Sequence, residues 1–303
     1  MLRKQSKADN NKTGLHIVEP YDFALSMRVV KSFQPAGSEE NNALHIAARI
    51  AGVPTLIEVH QNPADNSLFV VTSEPKTYDS QLYRIVEWAL FTELDVKPLY
   101  RLMSKDSKLK LLTRELHGLK PVRPVSLFEM AVVAITEQQI SLAAAHKIRS
   151  RVVERFGEPL GTRWLFPEPR AMAKAKPEDL KACGLSRQKA SYIHDLAVNI
   201  TNGNVDLNVL KTMDDDKARE TIMNLRGFGR WSADYILIRG LARPDCVPVD
   251  DLAIRSVVGE YLGDGQRLSA AEVTEKLDPF RPYRGLLAFY LLAGHRLKPT
   301  ASK

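Results

Sequence analysis

The chain has 303 residues, of which 44% are hydrophobic and 26% are charged, so it is long enough for two folded domains with ordinary apolar cores. Its two cysteines, Cys183 and Cys246, are too few for a disulfide framework, a paired-cysteine zinc motif or a four-cysteine iron–sulfur cluster. The net charge of +7 favours a polyanionic partner such as a nucleic acid.

The polar and charged start of the chain predicts a disordered tail over residues 1–13 and has no apolar stretch of the kind found in a secretory signal. The longest wholly apolar run, residues 286–293, is too short to span a bilayer. We therefore expect a protein without membrane contact, in the cytoplasm or, in a eukaryote, in the nucleus.

Residues 14–72 carry the signals of β-strands. Two runs rich in β-branched and large apolar residues, 56–59 and 68–72, are separated by a turn composition at 61–66, and a loop is expected at 35–38. This pattern predicts a small antiparallel sheet.

From Tyr78 onward the apolar residues recur with the period of an amphipathic helix. The helices are expected at about 82–90, 106–116, 126–135, 142–156, 187–201, 214–223, 231–240, 251–261, 269–277 and 283–294. The fold class is therefore α+β: a small antiparallel-sheet N-terminal domain over residues 14–104, followed by a large all-α domain over residues 105–303. The first and last helices are expected to pack across this boundary.

A glycine-rich turn joins two of the predicted helices near residues 225–235. Gly227 and Gly229 allow positive φ and a close approach to a ligand, and the first turn of the next helix offers free N–H groups. Arg226 and Arg230 flank the turn with positive charge. This arrangement suits a phosphate, although a turn of this kind also serves simply to connect helices.

Two adjacent acidic residues, Asp250 and Asp251, precede a later helix, and Asp251 lies twenty residues beyond Trp231. Taken alone, the pair is as consistent with a helix cap as with a catalytic carboxylate.

Together, the turn and the acidic pair resemble the helix-hairpin-helix superfamily of DNA glycosylases, and within it the 3-methyladenine DNA glycosylase II family. The resemblance spans residues 16–296 and is carried by the segments at 19–23, 127–129, 134–141, 227–235, 249–254 and 280–284. It implies that the all-α domain is a helix-hairpin-helix glycosylase domain.

The resemblance implies that Asp251, three residues before Ile254, is the catalytic carboxylate, and that Asp250 is a cap or a loop-stabilising neighbour. Cleavage of an N-glycosidic bond passes through an oxocarbenium-like sugar, which a carboxylate stabilises or attacks through an activated water. The nucleotide must first be flipped out of the duplex.

Trp231 and Tyr235, four residues apart on one helix, are the expected aromatic walls of the base pocket, since aromatic faces attract the cationic ring of an alkylated purine. In an ordinary helix both would be core residues. Leu292 stands where the family often has a tryptophan, which leaves hypoxanthine, uracil and 8-oxoguanine open as substrates.

The resemblance also implies contacts with double-stranded DNA that contains damaged bases, with Gln139 as the wedge that fills the gap in the stack. The residues expected at the DNA are Gln138, Gln139, Arg187, Lys189, Arg226, Gly227, Gly229, Arg230 and Ser232. Since one chain provides a catalytic site and a DNA grip, a monomer is expected.

The backbone carbonyls of Met223, Leu225 and Phe228 are the ligands that the resemblance implies for a monovalent cation, sodium or potassium, beside the DNA phosphate. No other cofactor is required, and the cysteine count excludes a four-cysteine iron–sulfur cluster.

Trp231 occupies the position at which bifunctional relatives carry a Schiff-base lysine. Without that amine no covalent imine with the sugar forms there, so we expect a monofunctional, hydrolytic glycosylase of base excision repair. The alternatives are a bifunctional glycosylase/lyase for oxidised bases and a non-catalytic helix-hairpin-helix DNA-binding protein.

Overall fold

The computed structural model describes residues 15–33, 43–62, 64, 67–73, 79–161 and 163–298. Helix α1 (Phe23–Ser32) precedes an antiparallel sheet in which β2 (Val53–Gln61) lies between β1 (Leu44–Ile50) and β3 (Leu68–Thr72). The predicted tail at 1–13 and the loop at 35–38 lie outside the described residues, as does part of the turn at 61–66.

The rest of the described chain is mainly helical. The helices are α2 (Asp79–Leu90), α3 (Lys97–Met103), α4 (Ser107–Glu115), α5 (Leu127–Glu137), α6 (Leu142–Phe156), α7 (Pro169–Lys174), α8 (Pro177–Ala182), α9 (Arg187–Thr201), α10 (Asp215–Met223), α11 (Arg230–Arg239), α12 (Leu252–Leu262), α13 (Ala270–Leu277) and α14 (Arg284–Leu297). A hairpin of β4 (Glu158–Leu160) and β5 (Arg163–Leu165) follows α6, and 3₁₀ turns span Leu207–Lys211 and Asp278–Phe280.

The predicted α+β fold class is confirmed. From residue 106 onward, each helix expected from the sequence has a counterpart whose ends agree to within three residues. None of the helices in the described part of the chain combines the length and the apolar character that crossing a bilayer needs.

Three hydrophobic clusters hold these elements together. One joins the sheet to α1 and α2, the second joins α5 to the helices through α11, and the third joins α3 and α4 to the helices from α12 onward. The third cluster contains both Leu99 and Leu109, and the division of the chain between residues 104 and 105 stays a prediction.

Helix α1 lies in the region that the sequence predicts to be strands. Its apolar residues Phe23, Leu25, Met27 and Val29 alternate with the period of a strand, which hides the helix. In the fold, Phe23 and Met27 pack on the sheet. Leu25 and Val29 pack instead in the cluster that contains α14. A helix buried on two faces against two different layers produces this pattern, and α1 thereby joins the sheet to the helical part.

An ion pair fixes the loop that leads from α11 to α12. The Asp245 carboxylate accepts hydrogen bonds from Arg284 Nε at 2.9 Å and Nη2 at 2.7 Å, and both side chains are less than one-fifth exposed. At Gly285, a Cβ atom would lie 2.1 Å from the Cys246 carbonyl oxygen. The first turn of α14 therefore packs directly against the loop that carries Asp251.

Replacing Arg284 with leucine should lower the free energy of unfolding by about 2–3 kcal/mol, because it leaves the half-buried Asp245 carboxylate without its bidentate partner. The control is Arg281→Leu, since the Arg281 side chain is 55% exposed where it meets Asp245 and Asp278. That change should cost less than about 0.5 kcal/mol. Urea unfolding of both variants measures the difference. Equal losses of unfolding free energy would contradict the stabilising role of the Asp245–Arg284 ion pair.

Candidate active site

The carboxylate of Asp251 is held by three N–H groups. Its Oδ1 accepts hydrogen bonds from the backbone N–H groups of Ala253 at 2.9 Å and Ile254 at 3.1 Å, as the N-cap of α12. Its Oδ2 accepts a hydrogen bond from Trp231 Nε1 at 3.0 Å. The cap expected at Asp250 is therefore made by Asp251 itself, and Asp250 is exposed. These donors fix the orientation of the Asp251 carboxylate and stabilise its negative charge.

Trp231 and Tyr235 form a stacked pair on one face of α11. Their ring centroids are 4.9 Å apart and the ring planes differ by 17°. Both side chains are only partly buried. Because Trp231 is hydrogen-bonded to Asp251, the expected aromatic wall lies beside that carboxylate. The stack is consistent with a surface that receives a planar base.

Behind this wall lies a group of charged side chains that the sequence analysis did not single out. The Tyr235 hydroxyl donates to Glu137 Oε2 at 2.7 Å, and Arg149 Nη1 donates to Glu137 Oε1 at 2.7 Å. Arg239 Nη1 lies 3.3 Å from the Tyr235 hydroxyl oxygen. Burial raises the pKa of Tyr235, so the phenol keeps its proton and donates. No local motif marks Glu137, because its partners come from other helices.

The turn between α10 and α11 has one left-handed glycine rather than two. Gly227 has a φ of +93°, and a Cβ atom there would lie 2.3 Å from the Tyr192 ring. Gly229 has a φ of −99° and is the N-cap of α11. The expectation of positive φ at Gly229 is therefore wrong. A Cβ atom at Gly229 would meet only open space.

The two arginines of the turn are exposed and already paired. The Arg226 guanidinium donates to Ser191 Oγ at 3.0 Å and contacts the Asp195 carboxylate. Arg230 Nε donates to Asp234 Oδ2 at 3.0 Å. Each guanidinium has further N–H groups that these bonds leave unused. The turn thus presents positive charge around the N-terminus of α11.

Gln138 joins the end of α5 to the turn. Its side-chain amide donates to the Gly227 carbonyl oxygen and to Ser232 Oγ, both at 2.9 Å. Ser232 is only 2% exposed, so its hydroxyl lies inside the protein and not at the surface expected to face DNA. Gln139 follows with a φ of +55° and is exposed. The structure therefore presents Gln139 outward, while Gln138 and the Ser232 hydroxyl hold the scaffold together.

Lys189 also has an internal role in place of the expected free phosphate contact. Its Nζ donates to the carbonyl oxygens of Thr136 at 2.9 Å and Gln138 at 2.6 Å, at the C-terminal end of α5. Burial lowers the pKa of Lys189. Arg187, two residues earlier at the start of α9, is exposed.

The three carbonyls expected to bind a cation lie where α10 ends and the turn begins. The Leu225 carbonyl accepts the Phe228 N–H at 3.2 Å, and no hydrogen bond of the described residues occupies the carbonyls of Met223 and Phe228. Carbonyl oxygens are the ligand type that hard cations take, and the monovalent cation at these three positions stays a prediction.

Leu292 is half-buried in the cluster that contains α14. The nearby Tyr290 is fully buried, and its hydroxyl donates to the Leu119 carbonyl oxygen at 2.6 Å. Tyr290 therefore does not replace the tryptophan that is missing at position 292.

The chain is similar to known proteins of base excision DNA repair. The model of the HhH-GPD superfamily, base excision DNA repair proteins, matches residues 132–282. A DNA-3-methyladenine glycosylase of Bacillus subtilis is 28% identical over 201 residues, which cover 65% of this chain and 66% of that protein. The matched region of the superfamily model includes α11, Asp251, Gln138 and Gln139.

Solved structures extend the likeness to almost the whole fold. The 3-methyladenine DNA-glycosylase from Archaeoglobus fulgidus superposes with a TM-score of 0.82 at 26% identity, covering 93% of this chain and 98% of that chain. A 3-methyladenine DNA glycosylase of Schizosaccharomyces pombe in complex with abasic DNA gives a TM-score of 0.60 at 24% identity, covering 68% and 100% of the two chains. At 24% identity, the similarity to the Schizosaccharomyces pombe structure indicates a shared fold only.

The two glycines of the turn should respond differently to alanine. Gly227→Ala should lower the free energy of unfolding by about 1–3 kcal/mol, because alanine is strained at this φ and meets the Tyr192 ring. Gly229→Ala should change it by less than about 0.5 kcal/mol but weaken duplex binding, because its methyl group projects into open space at the N-terminus of α11, where we expect a phosphate. Urea unfolding and fluorescence anisotropy measure the two effects. Wild-type duplex affinity in Gly229→Ala would count against phosphate binding there.

Lys189→Met should lower the free energy of unfolding by about 1–3 kcal/mol and leave the salt dependence of DNA affinity unchanged, because its ammonium group is bonded inside the protein. Arg187→Met is the matched variant on the same helix turn. It should leave stability unchanged and reduce the slope of log affinity against log salt by about 1. If Lys189→Met reduces that slope as much as Arg187→Met does, Lys189 contacts phosphate after all.

Proposed function

The chain belongs to the HhH-GPD superfamily of base excision DNA repair proteins, and we propose that it is a monofunctional DNA glycosylase that hydrolyses the N-glycosidic bond of alkylated purines. Its reaction class is that of the DNA-3-methyladenine glycosylases to which it is similar. Its partner is double-stranded DNA that contains damaged bases, and it acts as a monomer.

The observation that carries the proposal is the position of Asp251. Its carboxylate is oriented by the N-terminus of α12 and by Trp231, at the edge of the aromatic wall and near the turn of positive charge. A nucleotide whose phosphate sits on the α11 N–H groups would bring its sugar toward this carboxylate. The same short region thus provides a grip for phosphate, a wall for the base and a negative charge for the sugar.

In the proposed reaction, the bond between the anomeric carbon and the purine nitrogen breaks, and its electron pair leaves with the base. Positive charge develops on the sugar and is stabilised by the Asp251 carboxylate. A water molecule then forms the new bond to the anomeric carbon and gives up a proton, which the Asp251 carboxylate accepts. The products are a free base and an abasic site.

The aromatic wall supports alkylated purines as the substrate class. Alkylation at a ring nitrogen makes the purine cationic and a better leaving group, and the faces of Trp231 and Tyr235 attract a cation. Leu292 stands where the family often has a tryptophan, so the resemblance implies a pocket that is less aromatic at that position. Deaminated and oxidised bases are therefore the substrates to test next.

The side chain at position 231 supports hydrolysis over lyase chemistry. Trp231 has no amine that could attack the anomeric carbon, so an imine with the sugar does not form there. The indole N–H points instead at Asp251. Strand cleavage at the abasic site is not part of the proposed reaction.

DNA binding places the protein where DNA is held, in the cytoplasm of a bacterium or the nucleus of a eukaryote. When bound, a sodium or potassium ion held by the carbonyls of Met223, Leu225 and Phe228 would add positive charge beside the phosphate. No cofactor is required for the carboxylate-assisted hydrolysis proposed here.

Asp251→Asn should lower the rate of base release from duplex DNA with methylated purines by about two to three orders of magnitude, because it removes the charge opposite the developing oxocarbenium. Asn still caps α12, so the fold and the duplex affinity should be retained. Asp250→Asn is the matched control and should keep wild-type activity. Released base and abasic sites are quantified, and borohydride trapping should give no covalent adduct.

The proposal fails if the wild type releases no base from alkylated, deaminated or oxidised duplexes while it still binds them. That result would instead support the non-catalytic DNA-binding alternative. A borohydride-trapped adduct of the wild type would support the bifunctional one.

A further inference from the structure

Glu137, the last residue of α5, lies behind the aromatic wall and away from Asp251. Its side chain is only 8% exposed, and both of its oxygens are bonded. Oε2 accepts the Tyr235 hydroxyl, and Oε1 accepts Arg149 Nη1, each at 2.7 Å. Packing alone would be served by an apolar side chain at this position. A buried carboxylate that is bonded to an aromatic residue of the proposed base pocket therefore indicates a further role.

The contacts continue from Glu137 to the catalytic carboxylate. Tyr235 stacks on Trp231, and Trp231 Nε1 donates to Asp251 Oδ2 at 3.0 Å. Hydrogen bonds to a charged group are stronger and more directional than neutral ones, so Glu137 fixes the position of the Tyr235 hydroxyl and with it the long axis of the ring. The stacked Tyr235 ring in turn limits the position of the Trp231 indole, whose N–H orients Asp251.

Glu137 is also next to the residues that face the DNA. Gln138 holds the glycine-rich turn through the Gly227 carbonyl, and Gln139 is exposed with a φ of +55°. Lys189 holds the Gln138 carbonyl at 2.6 Å. Three consecutive residues at the C-terminal end of α5 therefore connect the aromatic wall, the glycine-rich turn and the exposed Gln139.

We propose that Glu137 is a positioning residue for the glycosylase reaction: it acts through the Tyr235 hydroxyl to set the aromatic wall and, through Trp231, the Asp251 carboxylate. The inference rests on the proposed function. According to this proposal, the Glu137–Tyr235 hydrogen bond increases the rate of base release, independently of its contribution to the stability of the fold. Arg149 supplies the positive charge that pairs with the buried Glu137 carboxylate.

A purely structural role makes a different prediction. If Glu137 only joined α5 to α6 through Arg149, losing its charge would lower stability but leave the reaction of folded enzyme on bound DNA unchanged. Glu137→Ala separates the two roles, because only the proposed role makes the folded variant react slowly. The isosteric Glu137→Gln is its control: the neutral amide removes the ion pair with Arg149, while the amide oxygen can still accept the Tyr235 hydroxyl.

The test is a double-mutant cycle on the rate of base release under single-turnover conditions, with enzyme saturating a duplex that contains 7-methylguanine. Glu137→Ala and Tyr235→Phe should each slow this rate by about 10- to 100-fold, since misplacement of the reacting groups is costly. The double variant should be no slower than the slower single variant, because both changes remove the same hydrogen bond. Glu137→Gln should stay within about fivefold of wild type although its melting temperature falls.

Glu129→Gln, on the same helix but lining a cavity beside β1 and β5, is the matched control and should keep the wild-type rate. If Glu137→Ala does not fold, Tyr235→Phe still decides, because the proposal requires this variant to be slow, whereas a purely structural role through Arg149 leaves it at the wild-type rate. The inference is overturned if Glu137→Ala or Tyr235→Phe reacts at the wild-type rate, or if the two losses multiply in the double variant. An inactive wild type overturns the proposed function and the inference together, and is recognised before any variant is measured.

Discussion

The hydrogen bond from Trp231 Nε1 to Asp251 Oδ2 joins two helix N-termini that lie twenty residues apart in the chain. Asp251 is at once the cap of α12 and the acceptor of the indole N–H, so its carboxylate has little freedom to turn. Trp231 belongs to the first turn of α11, next to the glycine-rich turn. This one contact therefore fixes the distance between the proposed phosphate grip and the proposed catalytic charge. The Asp245–Arg284 ion pair holds the middle of the loop that carries Asp251.

The end of α5 is the second organising point. There the side chains of Glu137 and Gln138 turn inward to the pocket wall and to the glycine-rich turn, and Gln139 turns outward. Lys189 holds the carbonyls that α5 leaves without partners at its C-terminal end. A base that flips out and a side chain that fills its place would thus be handled by adjacent residues on one rigid helix end, which suits a reaction that needs both events together.

Much of this site was readable from the sequence because its signals are local. The glycine-rich turn, the helix that starts at Arg230 and the carboxylate at Asp251 lie within one short stretch, and helix periodicity located the supporting helices. Helix α1 was missed because burial on two faces imitates the alternation of a strand. Interactions between distant segments were equally hidden: the inward role of Lys189 depends on carbonyls more than fifty residues away, and Glu137 meets Tyr235 across 98 residues. The backbone angle of Gly229 was misjudged because composition alone does not say which of two glycines takes the left-handed conformation.

The central claim is that Asp251 presents a fixed negative charge to a positively charged sugar. The most direct test compares the affinity of the protein for two duplexes, one with a cationic pyrrolidine in place of a single deoxyribose and one with a neutral tetrahydrofuran. If the claim holds, the wild type should bind the pyrrolidine duplex at least about 100-fold more tightly, and Asp251→Asn should lose that preference. Equal affinity of the wild type for the two duplexes would contradict the account, because a carboxylate held at the sugar must bind the cationic pyrrolidine more tightly than the neutral tetrahydrofuran.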